Sequence, residues 1–348
     1  MTYKPSAGFT FALLVGGCGG ALFYWFRLPL PWMLGAMMFS GLAAILHLPV
    51  RGWVKARPPM SMIIGTMLGS QFSPHTLDQA LHWWPAILGL AAYLLVATSL
   101  SYGYLRRVVQ MDRPTAYFSA MPGGLIDMVL LGAERGADER TIALMHSARI
   151  FLVVLGLPAL MQLATGADAG SRNAIYRPFS DFSLIDLGWF LVAVVGGLGL
   201  GKLCRLPAPF LIGPMLASMV LHWAGISAFT LPTIVIAGAQ VVLGTTVGCR
   251  FIGTAPARTL RILAVAAGST VLLLVVALLF SLVLAQVIDI PVEGILLAFS
   301  PGGLAEMSLV ALALNIEVAF VVLCHICRIG MVIVFAGLMS GFLDRAGR

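Results

Sequence analysis

Ser119-Ala120-Met121-Pro122-Gly123-Gly124-Leu125-Ile126-Asp127-Met128 returns later in the chain as Ala298-Phe299-Ser300-Pro301-Gly302-Gly303-Leu304-Ala305-Glu306-Met307. A proline removes a backbone donor and two glycines relax the chain behind it, so each apolar segment is expected to break there. Other blocks repeat in the same order. His146-x-x-Arg149-Ile150 returns as His325-x-x-Arg328-Ile329. Upstream, Arg27-Leu28-Pro29-Leu30-Pro31-Trp32 matches Arg205-Leu206-Pro207-Ala208-Pro209-Phe210, and Gly65-x-x-x-Gly69 matches Gly244-x-x-x-Gly248. Four blocks in one order, at offsets that differ by one residue, define an internal duplication. The halves are residues 1–165 and 181–348, joined by a polar linker at 166–180.

The solvent of these halves follows from composition. Hydrophobic residues make up 60% of the 348 positions and charged residues only 10%. Soluble domains carry roughly a quarter charged residues. Stretches such as 9–26, 184–200 and 262–288 approach or exceed the ~20 apolar residues of a membrane-spanning helix. Residues 9–26 are too long for a signal-peptide core, and no small-residue cleavage site follows, so they read as a retained helix. The expected fold is therefore an all-α polytopic membrane protein. The net charge of +7 does not point to nucleic acid, because no basic run exceeds two residues and membrane proteins gather Lys and Arg in cytoplasmic loops. The five cysteines lie in or beside apolar segments, which argues against a disulfide framework.

Charge placement arbitrates the topology. With ten crossings and two Pro-Gly-Gly segments that dip in and return, nearly all Lys and Arg fall on one side, from Lys4 and Arg51 through Arg106, Arg107, Arg140 and Arg250 to Arg345. Arg27, Arg172 and Arg177 fall opposite, and Arg149 and Arg328 lie in the membrane. Twelve crossings would split the charges almost evenly. The positive-inside rule thus favours inverted repeats, about ten transmembrane helices, two broken segments, and both termini in the cytoplasm. Trp83 and Trp84 at one end of a helix, with Tyr102 and Tyr104 at the other, read as interfacial belts. Gly65-x-x-x-Gly69 and Gly244-x-x-x-Gly248 read as close helix packing.

The candidate chemistry sits at the breaks. Free backbone groups at membrane depth are tolerated only inside protein or along a wet cavity. The half-helices starting at Leu125 and Leu304 would point their amides at whatever occupies the break, and matched broken helices mark transporter substrate sites. Asp127 and Glu306 are intramembrane acids, and His146 with Arg149, like His325 with Arg328, share one helix face. The candidate binding residues are Pro122, Gly123, Gly124, Asp127, His146 and Arg149, with Pro301, Gly302, Gly303, Glu306, His325 and Arg328. The plainer reading is that each arginine neutralises a buried acid. Cys324-x-x-Cys327 reads as packing, and His47, His75, His82 and His222 have no matched partners. No phosphate loop or nucleophile elbow is present.

Leu-Pro-x-Pro-[Trp/Phe]-x-[Leu/Ile]-Gly together with Pro-Gly-Gly-Leu-x-[Asp/Glu]-Met and His-x-x-Arg resembles the bacterial AbrB-type membrane proteins, over essentially the whole chain. This group is distinct from the soluble DNA-binding domain of similar name. The resemblance implies an internally duplicated protein of the bacterial inner membrane, in a family often labelled as ammonia monooxygenase or regulator.

The residues themselves favour a secondary transporter of a small anionic solute, with no cofactor and no catalytic residues. The arginines would attract the anion, while Asp127, Glu306 and the histidines would bind or relay coupling ions, protons or sodium. The partners are the bilayer and the solute, and a homo-oligomer is compatible with the sequence. The alternatives are a membrane metalloenzyme of monooxygenase type, in which two His and two carboxylates hold Fe, Mn or Zn, and an indirect regulatory role.

Overall fold

The computed structural model describes residues 7–72, 79–165, 177–253 and 256–345. Most of the linker, at 166–176, and the residues Lys4, His75 and Arg172 lie outside the described residues. All regular structure among the described residues is helical. The first half carries α1 (Ala7–Trp25), α2 (Pro31–Ile45), α3 (Arg57–Gly69), α4 (Trp84–Arg107), α5 (Arg113–Ala120), α6 (Leu125–Ala133) and α7 (Glu139–Thr165). The second half repeats that order as α8 (Leu184–Leu203), α9 (Pro209–Trp223), α10 (Thr233–Gly248), α11 (Pro256–Leu284), α12 (Val292–Phe299), α13 (Leu304–Ala313) and α14 (Val318–Arg345).

Local sequence sets these boundaries. Pro31, Pro114 and Pro209 open helices, where a missing N–H costs nothing. Asp112 caps α5 by accepting from the Thr115 amide at 3.0 Å, and Ser183 with Asp186 forms a capping box on α8. Backbone strain is duplicated too. Arg27 and Leu30 have φ of 54° and 43°, and their counterparts Arg205 and Ala208 have 51° and 49°. Positive φ is uncommon without glycine, so its return at matched residues shows the Leu-Pro-x-Pro turn is built twice in one conformation.

Seven helices among the described residues are long and apolar enough to cross a membrane: α1, α4, α7, α8, α10, α11 and α14. The chain is an all-α, multi-pass membrane protein. Helices α2 and α9 have 15 residues each, about 22 Å at 1.5 Å per residue, short of the ~30 Å hydrocarbon core. Leu184, Ile185, Val195 and Leu279 are largely exposed, as side chains facing lipid must be.

The chain divides into two compact units, and each draws on both sequence halves. Unit 1 is Met1–Gln79, Leu155–Ala255 and Ser308–Ala319; unit 2 is Ala80–Val154, Pro256–Met307 and Phe320–Arg348. Within unit 1, helices meet backbone to backbone through glycine. A Cβ on Gly35 would lie 2.3 Å from the Gly19 carbonyl oxygen, and one on Gly213 would lie 2.2 Å from that of Gly197. Gly65 abuts the Leu211 carbonyl while Gly244 abuts that of Met33, the residue matching Leu211. Such an exchange, i on j and j on i, is what a local two-fold relation produces.

Within unit 2, the matched helices α4 and α11 pack against each other in opposite directions. Gly89 meets Leu284, Ser101 Oγ lies 2.8 Å from Ser269 Oγ, and Tyr104 covers Gly268. The aromatic belt differs from the sequence expectation at one residue. Trp84 is exposed, but Trp83 is buried edge-on against Phe320 at 5.2 Å, because neighbouring positions at a helix start point in different directions.

The glycine contacts carry a test. Gly35→Val forces the α1–α2 pair apart, a cost of about 1–3 kcal/mol for overpacking. Melting of the purified protein should fall by several degrees, while Gly17→Ala, whose Cβ meets nothing within 4 Å, should leave it unchanged. Equal melting of the two variants would contradict the close-packed interface.

Candidate functional site

Every sequence-predicted site residue falls in unit 2. Helix α5 ends at Ala120, the chain runs extended from Met121 (φ −61°, ψ 130°) to Gly124 (φ −63°, ψ 134°), and α6 begins at Leu125. In the second half, α12 ends at Phe299, Ser300 is extended (φ −58°, ψ 141°), and the next helix begins at Leu304. The half-helices start where the motif reading places them. The glycines have a different role from the one expected. None of Gly123, Gly124, Gly302 and Gly303 has positive φ, so conformational freedom is not what they supply; space is. A Cβ on Gly123 would meet Val332 Cγ1 at 2.7 Å. A Cβ on Gly124 would lie 2.4 Å from Asp127 Oδ2, and one on Gly303 would lie 2.0 Å from Glu306 Oε2.

These distances locate the two acids. Each carboxylate folds back over the glycine that precedes its own helix, from the third helical position. That is where an acid complements the positive end of the helix dipole. Asp127 is half-buried and Glu306 is buried. The amide ends of both half-helices are therefore already faced by the chain's own carboxylates.

The arginines serve the other side of each break. Arg149, buried on α7, donates to the Ser119 carbonyl at 3.3 Å and the Met121 carbonyl at 3.0 Å. Arg328, buried on α14, donates to the carbonyls of Ser300 and, at 2.8 Å, Gly302. Cations at the carbonyl end of a helix satisfy orphan acceptors and complement the dipole. The expected alternative, a buried acid–arginine pair, is not the arrangement around either guanidinium.

The two histidines differ. Arg149 donates to His146 Nδ1, so the proton of a neutral ring sits on Nε2, which donates to the Phe118 carbonyl at 2.9 Å. His325 instead donates Nδ1–H to the Val321 carbonyl of its own helix at 2.9 Å. Its Nε2 is buried without a partner among the described residues, as are Arg149 Nε and Ser119 Oγ.

Helix α7 is held in place by its start. The Asp138 carboxylate accepts from the Arg140 and Thr141 amides at 3.0 and 3.3 Å and from the Thr141 hydroxyl, while its own amide donates to Thr115 Oγ1 at 2.9 Å. The Thr141 hydroxyl bond, above all, holds the Asp138 carboxyl below its usual range. Residues 112–115 and 138–141 thus tether the helix bearing Arg149 to the one whose carbonyls it grips.

One residue was missed by repeat logic. Tyr93 of α4, fully buried against Phe299 at 5.4 Å, donates its hydroxyl to the Leu273 carbonyl at 3.5 Å and lies within electrostatic range of both Arg149 and Arg328. A lone hydroxyl-bearing aromatic inside the apolar run of α4 was the available signal.

The family described as "Transition state regulatory protein AbrB" matches residues 32–344. The chain belongs to the AbrB family. It is similar to the "Uncharacterized protein YhjN" of Bacillus subtilis (strain 168), 26% identical over 346 residues, covering 92% of this chain and 89% of that protein. It is also similar to the "Putative regulator AbrB" of Escherichia coli (strain K12), 27% identical over 315 residues, covering 90% of this chain and 88% of that protein. All four sequence blocks except Arg27 to Pro31 fall wholly within the matched span.

Arg149→Lys keeps the charge but loses the planar fork that reaches two carbonyls. Leaving a buried acceptor unsatisfied costs about 1–3 kcal/mol, so melting should drop clearly, whereas exposed Arg135→Lys should not move it. An unchanged melting point for Arg149→Lys would remove the carbonyl-capping role.

Proposed function

We propose that this AbrB-family protein is a secondary transporter of a small anionic solute, bound between the two broken segments. One observation carries the reading. Arg149 and Arg328 are both buried in one compact unit and spend their hydrogen bonds on neutral partners. Two like charges taken out of water cost several kcal/mol each without an opposite charge, and an anion supplies it. Arg149 Nε, Ser119 Oγ and His325 Nε2 add buried polar atoms in the same unit that have no partner among the described residues.

The reading includes residues 1–165 and 181–348 as inverted repeats joined by 166–180, in a bacterial inner membrane with both termini cytoplasmic. Antiparallel packing of α4 on its counterpart α11 supports the inversion, as does the one-sided distribution of Lys and Arg. Asp127, Glu306 and His325 are the groups proposed to bind protons or sodium. A metal-centred reaction is less favoured because both ring nitrogens of His146 are engaged. The regulator label of the family is accommodated if the transported solute, rather than the membrane protein, acts on gene expression.

The test is a melting-shift screen of purified protein against small carboxylates and inorganic anions, with size-exclusion profiles beside it. An anion that raises melting of the parent should bind Arg149→Met and Arg328→Met at least ~30-fold more weakly, the loss of roughly 2 kcal/mol or more for one partner of a buried charge contact. Gly124→Ala, which displaces the Asp127 carboxylate, should change the pH dependence of the shift. A monodisperse Arg149→Met protein with the parental response would overturn the site.

A further inference from the structure

A groove of about 760 Å³ runs along unit 2, apart from the buried arginine pair. One wall is a face of α4, including Leu94, Leu95, Thr98, Tyr102 and Gly103; the other is Tyr117 and Met121 of the α5 segment, with Phe335 of α14 closing it. At one end Arg106, Arg107 and Arg113 gather on its rim. Arg106 is steadied by donating to the Met111 carbonyl, while Arg107 and Arg113 are exposed.

We infer that this groove is a binding site for one anionic phospholipid, with its phosphate at the three arginines and an acyl chain laid along α4 toward Leu94. Three features select that occupant. Leucine and aromatic side chains with Met121 make up seven of the thirteen lining residues, and the charged ones gather at one end, so an acyl chain is matched along the rest of the groove and a soluble anion is not. From Leu94 to Arg107 the helix rises about 20 Å, roughly the ~15 Å of one leaflet's hydrocarbon plus a headgroup. Leu95 and Leu100 are about half exposed, which leaves the groove open sideways to the bilayer, the direction from which a lipid arrives.

The charge is placed for a headgroup. Arg106 and Arg107 close the last turn of α4, where the helix dipole favours cations, and Arg113 opens the helix across the groove. Basic pockets between transmembrane helices bind acidic headgroups by this combination of charge and apolar wall. Gly103 keeps the middle of the groove open, since a Cβ there would meet nothing within 4 Å. At the inner end, Met121 is the residue whose carbonyl Arg149 grips, so a lodged chain reaches the first break. The assignment does not depend on the transport reading.

The experiment uses the full chain in detergent, titrated with phosphatidylglycerol or with phosphatidylcholine of identical chains, and read by native mass spectrometry and melting. Phosphatidylglycerol should be retained and stabilising well beyond phosphatidylcholine. Arg107→Gln with Arg113→Gln should weaken its retention roughly 30-fold, since each arginine near a headgroup contributes about fivefold. Gly103→Leu, which fills the groove while raising helix propensity, should reduce retention with melting in the absence of lipid preserved. Arg135→Gln with Arg140→Gln removes two exposed charges outside the groove and should leave retention intact. Equal retention of the two lipids, an equal loss in the Arg135/Arg140 variant, or equal stabilisation by soluble glycerol phosphate would each overturn the lipid site.

Discussion

A peptide group that leaves a helix inside a bilayer has no water to turn to, and that constraint organises unit 2 of this protein. Each Pro-Gly-Gly segment exposes carbonyls at the end of one short helix and amides at the start of the next. The chain answers both from nearby. Arginines on α7 and α14 reach the carbonyls, and acids at the third position of the following helices fold back over the amide ends. Opposite charges thus stand on opposite sides of each break, each matched to the local helix dipole. Removing the acid would leave the arginine's partners untouched, so the charges act on the backbone before they act on each other.

The duplication makes the remaining differences informative. Met121 and Ser300 are equivalent, and both carbonyls accept from the matched arginine. The second contact differs, being Ser119 before the break in one half and Gly302 within it in the other. Arg328 therefore reaches two residues further along its segment than Arg149 does. That shift parallels the histidines: His146 is held between Arg149 and Phe118, while His325 turns to its own helix and leaves Nε2 without a partner among the described residues. In the proposed transporter the two half-sites are not interchangeable, and the second is the one with a ring nitrogen left without a partner among the described residues.

Much of this was legible in the sequence because duplication filters noise. Positions that recur in register, such as Leu125 and Leu304 as helix starts or the paired Leu-Pro-x-Pro turns, became structure where the pattern put them. What the pattern could not supply was the identity of contacts made across elements. His-x-x-Arg fixes a helix face, but not that the face meets carbonyls. A glycine pair is consistent with positive φ or with tight space, and only the distances to Asp127 and Glu306 decide for space. Tyr93 has no matched partner, so a search built on repeats passes over a residue buried within electrostatic range of both arginines. Two-unit organisation was also hidden, because each unit is assembled from pieces of both halves.

The account rests on equivalent breaks entering from opposite faces of the membrane, so that one solute site can be offered to each side in turn. The turns after α6 and α13 are the place to read this, since Gly136 and Asn315 are matched there and both have positive φ. In a protein with its native cysteines replaced, Arg135→Cys and Leu314→Cys should be labelled separately in intact cells by a membrane-impermeant maleimide. The account predicts labelling at residue 314 from outside and at residue 135 only after the membrane is opened. Labelling of both from outside, or of both only after opening, would place the breaks on one face and contradict it.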